Sequence, residues 1–316
     1  MQNIPIRYKP WMDICNRAEK QFLSGLIPES LNSMNEALLW IESHAPTETI
    51  LRVMTLEQIA AIYSNSGQPQ AAIPWYEKSL DLFKNDSSEM IKVEYAISLS
   101  SFAKTLLKSG LLERAETTID DACKIYAEIH GADHIFISIA KMTKVRILRK
   151  RGELSSALEL AKSVLADLRT ATDNPEDLFY ALHEIGSIEH ELSKNQDAVL
   201  TLKEGLRIGE SISSPNNPQL NLEICNLRLT LAEVYISLQK YKESHGLSWR
   251  AVEEMEKILP ELSPILLEAK RRLVVILQTV HKQDEAEIVV AMTNDDKLED
   301  LNLANRRWRY LFRGKK

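Results

Sequence analysis

Glycine and proline are scarce in this 316-residue chain, 10 and 11 residues respectively, so each is a candidate break between regular elements. Cysteine is scarcer: Cys15, Cys123 and Cys225 are far apart and form no CxxC pair. That spacing argues against a disulfide framework or a zinc site and for a reducing compartment. Long apolar runs are absent as well. Runs such as "LVVIL" (Leu273–Leu277) reach only about five residues, where a membrane-spanning helix needs roughly twenty. The opening "MQNIPIRYKPWMD" has no uninterrupted apolar segment of the kind a secretory signal carries, so a cytoplasmic location is expected.

Catalytic signatures are missing too. Nothing matches GxGxxG, GxxxxGK[ST] or GxSxG. The closest histidines in one predicted helix, His183 and His190, are separated by a rise of about 10.5 Å, too far to ligate one ion at ~2 Å. No metal, no cofactor and no enzymatic activity are expected. With 45 acidic against 39 basic residues the net charge is −6, which disfavours general nucleic-acid binding.

The few glycines are regularly placed. Gly25, Gly67, Gly110 and Gly152 stand 42, 43 and 42 residues apart, each between two apolar-periodic segments. Five positions after each comes a small residue: Ser30, Ala72, Ala115 and Ala157. Continuing the step places Ser193, Gln239 and His281 at the equivalent turn, followed by Ala198, Ser244 and Ala286. A second series of breakers, including "SHAPTET", "TDNPED" and "SSPNNPQ", falls halfway between. Two interleaved series of turns predict helix–turn–helix repeats.

Periodicity supports helices. Leu99, Phe102, Ala103, Leu106 and Leu107 recur at the spacing of an amphipathic helix. The small residue has a packing reason: where antiparallel helices cross closely, a larger side chain would hold them apart. Pro74 falls inside a predicted helix starting at Pro69, where a slight bend is expected.

The 42-residue step and "YAEIHGADHIFISIA" (Tyr126–Ala140) resemble the tetratricopeptide repeat family, in the long variant of kinesin light chains and many bacterial regulators. Gly131, Asp133 and His134 match that variant's inter-repeat loop, with Ile135 in place of its proline; Asp133 is expected to cap the next helix. The resemblance implies an all-α, right-handed α-solenoid of about seven helix pairs, with a concave face lined by the first helix of each pair. The expected repeats lie near 11–48, 53–88, 96–131, 138–173, 178–213, 224–259 and 266–292. An extended arm is expected over 1–10 and a C-terminal capping helix over 295–313. The family's groove asparagines, "LNNLA", correspond here to "LEQIA", "LSSFA", "LHEIG" and "RLTLA", which lack them.

One stretch carries the functional expectation. "KMTKVRILRKRGE" (Lys141–Glu153) holds six basic residues before its first acid. Counting along the helix places Ile139, Met142, Arg146 and Arg149 on the groove, with Lys150 beside them. The preceding repeat places Ile97, Ser100, Lys104 and Leu107 equivalently, then Lys108. Same-sign charges converging on a groove would attract an opposite charge; otherwise the run is a solvated helix face. Lys141 and Lys144 occupy slots where other repeats carry apolar residues, so either this helix is rotated or their stems snorkel.

His183 is expected on the next groove helix. Arg271, Arg272, Arg306 and Arg309 form a secondary basic site, the last two in a C-terminal helix that caps the array or anchors to lipid, RNA or a partner helix. The expected function is a non-catalytic interaction module, an adaptor or regulatory subunit, binding an acidic or mixed-charge protein segment. A peptide-responsive sensor of bacterial-regulator type is the alternative, with nucleic-acid or anionic-lipid binding behind both.

Overall fold

The computed structural model describes residues 5–85, 89–131, 134–171, 174–261 and 263–291. Among them there are fourteen α-helices and no strand. The helices are α1 (Lys9–Leu23), α2 (Ile27–His44), α3 (Thr49–Asn65), α4 (Pro69–Asp81), α5 (Glu89–Lys108), α6 (Leu112–His130) and α7 (Ile135–Lys150). They continue as α8 (Leu154–Ala171), α9 (Pro175–Glu191), α10 (Asn195–Ile212), α11 (Pro218–Ser237), α12 (Tyr241–Ile258), α13 (Pro264–Thr279) and α14 (Gln283–Ala291). Each odd helix packs on the even helix that follows it, giving seven hairpins. The chain forms two compact units that divide after Ala171.

The seven turns share one backbone solution. Gly25, Gly67, Gly110 and Gly152 have φ between 75° and 83°, and Ser193, Gln239 and His281 adopt φ of 60°, 56° and 60°. The residue after each turn donates its N–H back across it: Leu26 to Gln21, Gln68 to Tyr63, Leu111 to Leu106, Glu153 to Leu148, Lys194 to Glu189, Lys240 to Tyr235 and Lys282 to Leu277. This six-to-one bond satisfies a carbonyl that the helix end would otherwise leave unpaired. Glycine adopts the left-handed conformation without a Cβ penalty; serine, glutamine and histidine do not.

The small residue after each turn is buried without exception: Ser30, Ala72, Ala115, Ala157, Ala198, Ser244 and Ala286 are all 0% exposed. The two serines use the close approach, donating Oγ–H to the carbonyls of Ala18 at 2.7 Å and Ala232 at 2.8 Å on the facing helix. Between the hairpins run continuous apolar layers. In the first unit, Trp11, Met34, Ile41 and Ile59 pack together near the N-terminus, and Ala60, Phe102, Leu106, Ile119 and Ile147 extend the core through α7. In the second, Phe179, Leu202 and Leu227 lead into Leu229, Met255 and Leu273.

Several expectations need correction. The arm over 1–10 gives way to helix from Ile6: a 3-10 turn over Ile6–Tyr8 leads into α1. Pro10 stands in the first turn of α1, where its missing N–H costs nothing. The first helices begin two to seven residues before the expected repeat boundaries, because their opening turns lack a clear apolar period. The cap of α7 is His134, whose Nδ1 accepts from the Phe136 N–H at 3.3 Å; Asp133 lies outside the described residues, as does the expected capping helix. Pro74 is inside α4, as expected.

Candidate functional site

The basic residues of α5 and α7 repeat at matching places. Lys104 and Arg146 each stand six residues before their turn glycine, and Lys108 and Lys150 each stand two before. α5 and α7 are in direct contact. Lys104, Lys108 and Lys150 are exposed and Arg146 and Arg149 half-buried. Lys108 Nζ donates to Asn65 Oδ1 at 2.7 Å, and Asn65 holds the same place in α3. The Lys104 ammonium is held below the ordinary lysine range, first by the protein crowding it and then by Arg146 and Lys108.

α7 is not rotated. Ala140, Val145 and Ile147 are buried at the places Ser98, Ala103 and Thr105 occupy in α5. Lys141 and Lys144 are instead half-exposed at otherwise apolar slots. Lys144 reaches past the packing to Asp120, Nζ to Oδ1 at 2.6 Å, so its stem snorkels.

Two expected groove residues belong to the interior. Met142 is 8% exposed, and Leu107 is 9% exposed within the core. The outward row runs thirteen, six and two residues before the turn; Met142 and Leu107, at ten and three, rotate inward by one helical step. Ile97 is exposed and Ile139 half-buried, and both stay on the outward row.

The same unit contains a cavity of about 220 Å³, lined by Cys15, Asn16, Phe22, Met34, Gln58 and Asn65 among others. Asn65 therefore belongs both to this cavity and to the hydrogen bond that holds Lys108. Asn16 and Gln58 each stand nine residues before their turn, the place of the second asparagine in "LNNLA". The sequence comparison missed Asn16 because it began at the second repeat; "ICNRA" (Ile14–Ala18) carries the signal.

The remaining candidates fall in the second unit. His183 is half-buried, with Nε2 3.3 Å from Thr230 Oγ1. Arg272 donates through Nε to Glu233 at 2.8 Å and through Nη2 to Thr230 at 3.3 Å. Arg271 pairs with Glu268 at 3.3 Å. Each arginine of that secondary site thus has its own carboxylate; Arg306 and Arg309 lie outside the described residues. His190 Nδ1 contacts Asn195 Oδ1 at 2.7 Å, so His183 and His190 have separate partners.

Among the described residues no group of three or more His, Cys, Asp or Glu could hold a metal ion, and no helix is long and apolar enough to cross a membrane. Burial pushes the thiols of Cys15 and Cys225 up to about 12, so both are protonated and unreactive at neutral pH.

Comparison with known proteins places this arrangement. The tetratricopeptide-repeat family model matches residues 55–86, most of the second hairpin. The Arabidopsis thaliana protein KINESIN LIGHT CHAIN-RELATED 3 is 25% identical over 223 residues, which is 70% of this chain and 33% of the relative. This chain thus spans about a third of the length of the curated relative it matches. A Rap protein complexed with competence and sporulation factor superposes over 99% of this chain and 89% of its own, with 14% identity and a TM-score of 0.64. NprR in complex with its cognate peptide NprX does so over 99% and 88%, with 13% identity and a TM-score of 0.62. At such identity these likenesses speak for the fold alone, an all-α solenoid of tandem helix pairs. The second hairpin thus matches the tetratricopeptide-repeat family model, the other six hairpins repeat its left-handed turn and small residue, and the chain is similar to a kinesin light chain-related protein.

Proposed function

We propose that the chain is a non-catalytic protein-interaction module of the cytoplasm, an adaptor or regulatory subunit. Its first unit takes an acidic or mixed-charge protein segment on the face of α5 and α7. The observation that supports this best is the recurrence of basic residues at matching places in successive repeats, Lys104 and Lys108 on α5 with Arg146 and Lys150 on α7, where Arg146 and Lys108 lie close enough to Lys104 to lower its pKa. Clustered like charge of this kind speeds encounter and fixes orientation more than it adds affinity. Affinity would come from apolar contact with Ile97 and Ile139 and from the adjoining cavity at Phe22 and Met34. The carboxamides of Asn16, Gln58 and Asn65 can bond an extended backbone there.

The test is recovery of partners from lysate by the intact chain and by a Lys104→Glu/Arg146→Glu variant of matched circular dichroism. Loss of the recovered partner supports the assignment; undiminished recovery with the reversed charges rejects it.

A second reading has its own support. Rap and NprR were each solved with a bound peptide or factor, and each superposes on nearly all of this chain. If the chain is a peptide-responsive sensor, adding its ligand changes the solution scattering profile. A static adaptor leaves that profile unchanged when the segment binds.

A further inference from the structure

We infer that the second unit holds a separate site: a cleft among α10, α11 and α12 that takes a small zwitterion, a free α-amino acid or a dipeptide. It is independent of the α5–α7 face and of the function proposed for that face.

The helix period builds the cleft. Arg250, Glu254 and Lys257 are four and then three residues apart, which puts them on one side of α12. Ile224 and Arg228, four apart, share a side of α11, and Glu210 stands in the last turn of α10. With Ile258 these side chains line a volume of about 550 Å³, within the range of small-molecule sites. The rim is fixed by the connection between α10 and α11. Ser213 donates Oγ–H to Asn221 Oδ1 at 2.7 Å, and Asn221 donates Nδ2–H to the Ser214 carbonyl at 2.8 Å.

Most of the charge in the cleft is already committed. Arg228, 4% exposed, donates through Nη2 to Glu210 Oε1 at 2.7 Å and through Nη1 to Glu254 Oε2. Arg250 donates Nε–H to Glu254 Oε1 at 2.9 Å and approaches Glu210 Oε1 at 3.9 Å. Burial alone would raise the Glu254 carboxyl; the Arg250 hydrogen bond and the Arg228 charge hold it below the usual carboxylate range.

Capacity remains all the same. Both contacts of Glu210 use Oε1, so its Oε2 has no partner among the described residues, and neither has Arg250 Nη1. Lys257 has only a long contact, 3.4 Å to Glu253. Arg228 Nε is buried and also without a partner, which is uncommon in a purely structural network.

These unused groups have opposite signs. A simple anion drawn to Arg250 and Lys257 would meet Glu210, and a simple cation drawn to Glu210 would meet the guanidiniums. Three cations against two carboxylates leave the lining near neutrality, which suits a ligand without net charge. A zwitterion can present its carboxylate to the Arg250 fork and Lys257, and its ammonium to Glu210 Oε2. Ile224 and Ile258 add an apolar wall for an aliphatic side chain.

The experiment follows the isoleucine δ-methyl groups of the full, 13C-labelled chain by NMR, with Ile224→Val and Ile258→Val assigning the two signals. Four probes are titrated: leucine, N-acetylleucine without the ammonium, leucinamide without the carboxylate, and leucyl-leucine. Leucine is expected to shift both methyls at concentrations about tenfold lower than either blocked form, since each lacks a charged hydrogen-bonding end. Glu210→Gln should erase the advantage over N-acetylleucine, and Arg250→Gln the advantage over leucinamide; both positions are exposed, and folding is checked by circular dichroism. A stronger response to leucyl-leucine than to leucine assigns the site to a peptide, and the reverse to a free amino acid. N-acetylleucine acting as well as leucine would make the cleft an anion site and overturn the proposal. Leucinamide acting as well would make it a cation site, with the same result. Silence of both methyls to every probe overturns the site itself. The comparison of probes on the parent chain decides even where a variant fails to fold.

Discussion

Lys270 of α13 meets Glu256 of α12 at 2.9 Å, with the lysine side chain only 1% exposed. The contact repeats one hairpin earlier: Arg228 of α11 pairs with Glu210 of α10 at 2.7 Å, and its side chain is 4% exposed. Each cation stands eleven residues before its turn, and each acid seventeen after the preceding turn. Leu56, Leu99 and Leu182 fill the cation's place in three other hairpins, so here a buried cation reaching to a partly exposed carboxylate replaces apolar packing.

That substitution has a measurable consequence. Removing only the acid, by Glu256→Ala, strands a buried ammonium and should destabilise by about 3–5 kcal/mol. Restoring the residue of the other hairpins, by Lys270→Leu, should be neutral or stabilising by about 1–4 kcal/mol. Urea midpoints for the two variants decide the matter; equal losses would mean that leucine cannot fill this slot.

The hairpin of α9 and α10 depends on glycine for a different reason. A Cβ on Gly209 would lie 2.9 Å from the ring of Phe179, which is fully buried, and equally close to Ile224. Gly209→Ala should therefore destabilise by about 1–3 kcal/mol through overpacking. A compensating Phe179→Leu should recover part of the loss in a double-mutant cycle.

Acid strength in the first unit gives a pH signature. Burial raises the Glu57 carboxyl above the usual range, with Glu94 adding to the rise; hydrogen bonds from Ser98 and Ser79 oppose it. A carboxyl raised by folding stabilises when protonated, below its unfolded value near about 4.3, and that contribution fades as pH climbs through the folded value. Glu57→Gln should accordingly gain stability over the parent chain at pH 7, and the gain should shrink as the pH falls towards 4. Thermal melts at several pH values test it; a gap that widens on acidification reverses the sign.

Turn chemistry offers a stabilising change. Gln239 holds φ of 56° with an ordinary side chain, at the place where Gly67 and Gly110 stand in earlier hairpins. Gln239→Gly should stabilise by about 1 kcal/mol, less the extra freedom glycine gives the unfolded chain. Gly110→Val should cost more than that. A midpoint lowered by Gln239→Gly would show that the side chain itself supports the turn.

Those turns were also the most legible part of the sequence. The step from Gly152 located Ser193, Gln239 and His281 although none is glycine, and the small residue five places on located the tight crossings. Both are backbone requirements, which a one-dimensional period records. The facing of individual side chains was harder to read. Met142 and Leu107 look like groove residues by counting, but one position along a helix is a turn of about 100°, enough to move a side chain from surface to core. In α7 the count was harder still, because Lys141 and Lys144 occupy apolar slots and blur the stripe. The cavity at Asn16 and Phe22 was not legible, because a cavity is set by how neighbouring helices fit together.

The left-handed turns also divide the chain unevenly. All four glycine turns belong to the first unit, and all three turns made by serine, glutamine and histidine belong to the second. Hairpin by hairpin, the second unit holds its shape against a backbone preference that the first does not face. Amide protons beside Ser193, Gln239 and His281 should thus exchange with solvent ahead of their counterparts beside Gly25, Gly67 and Gly110.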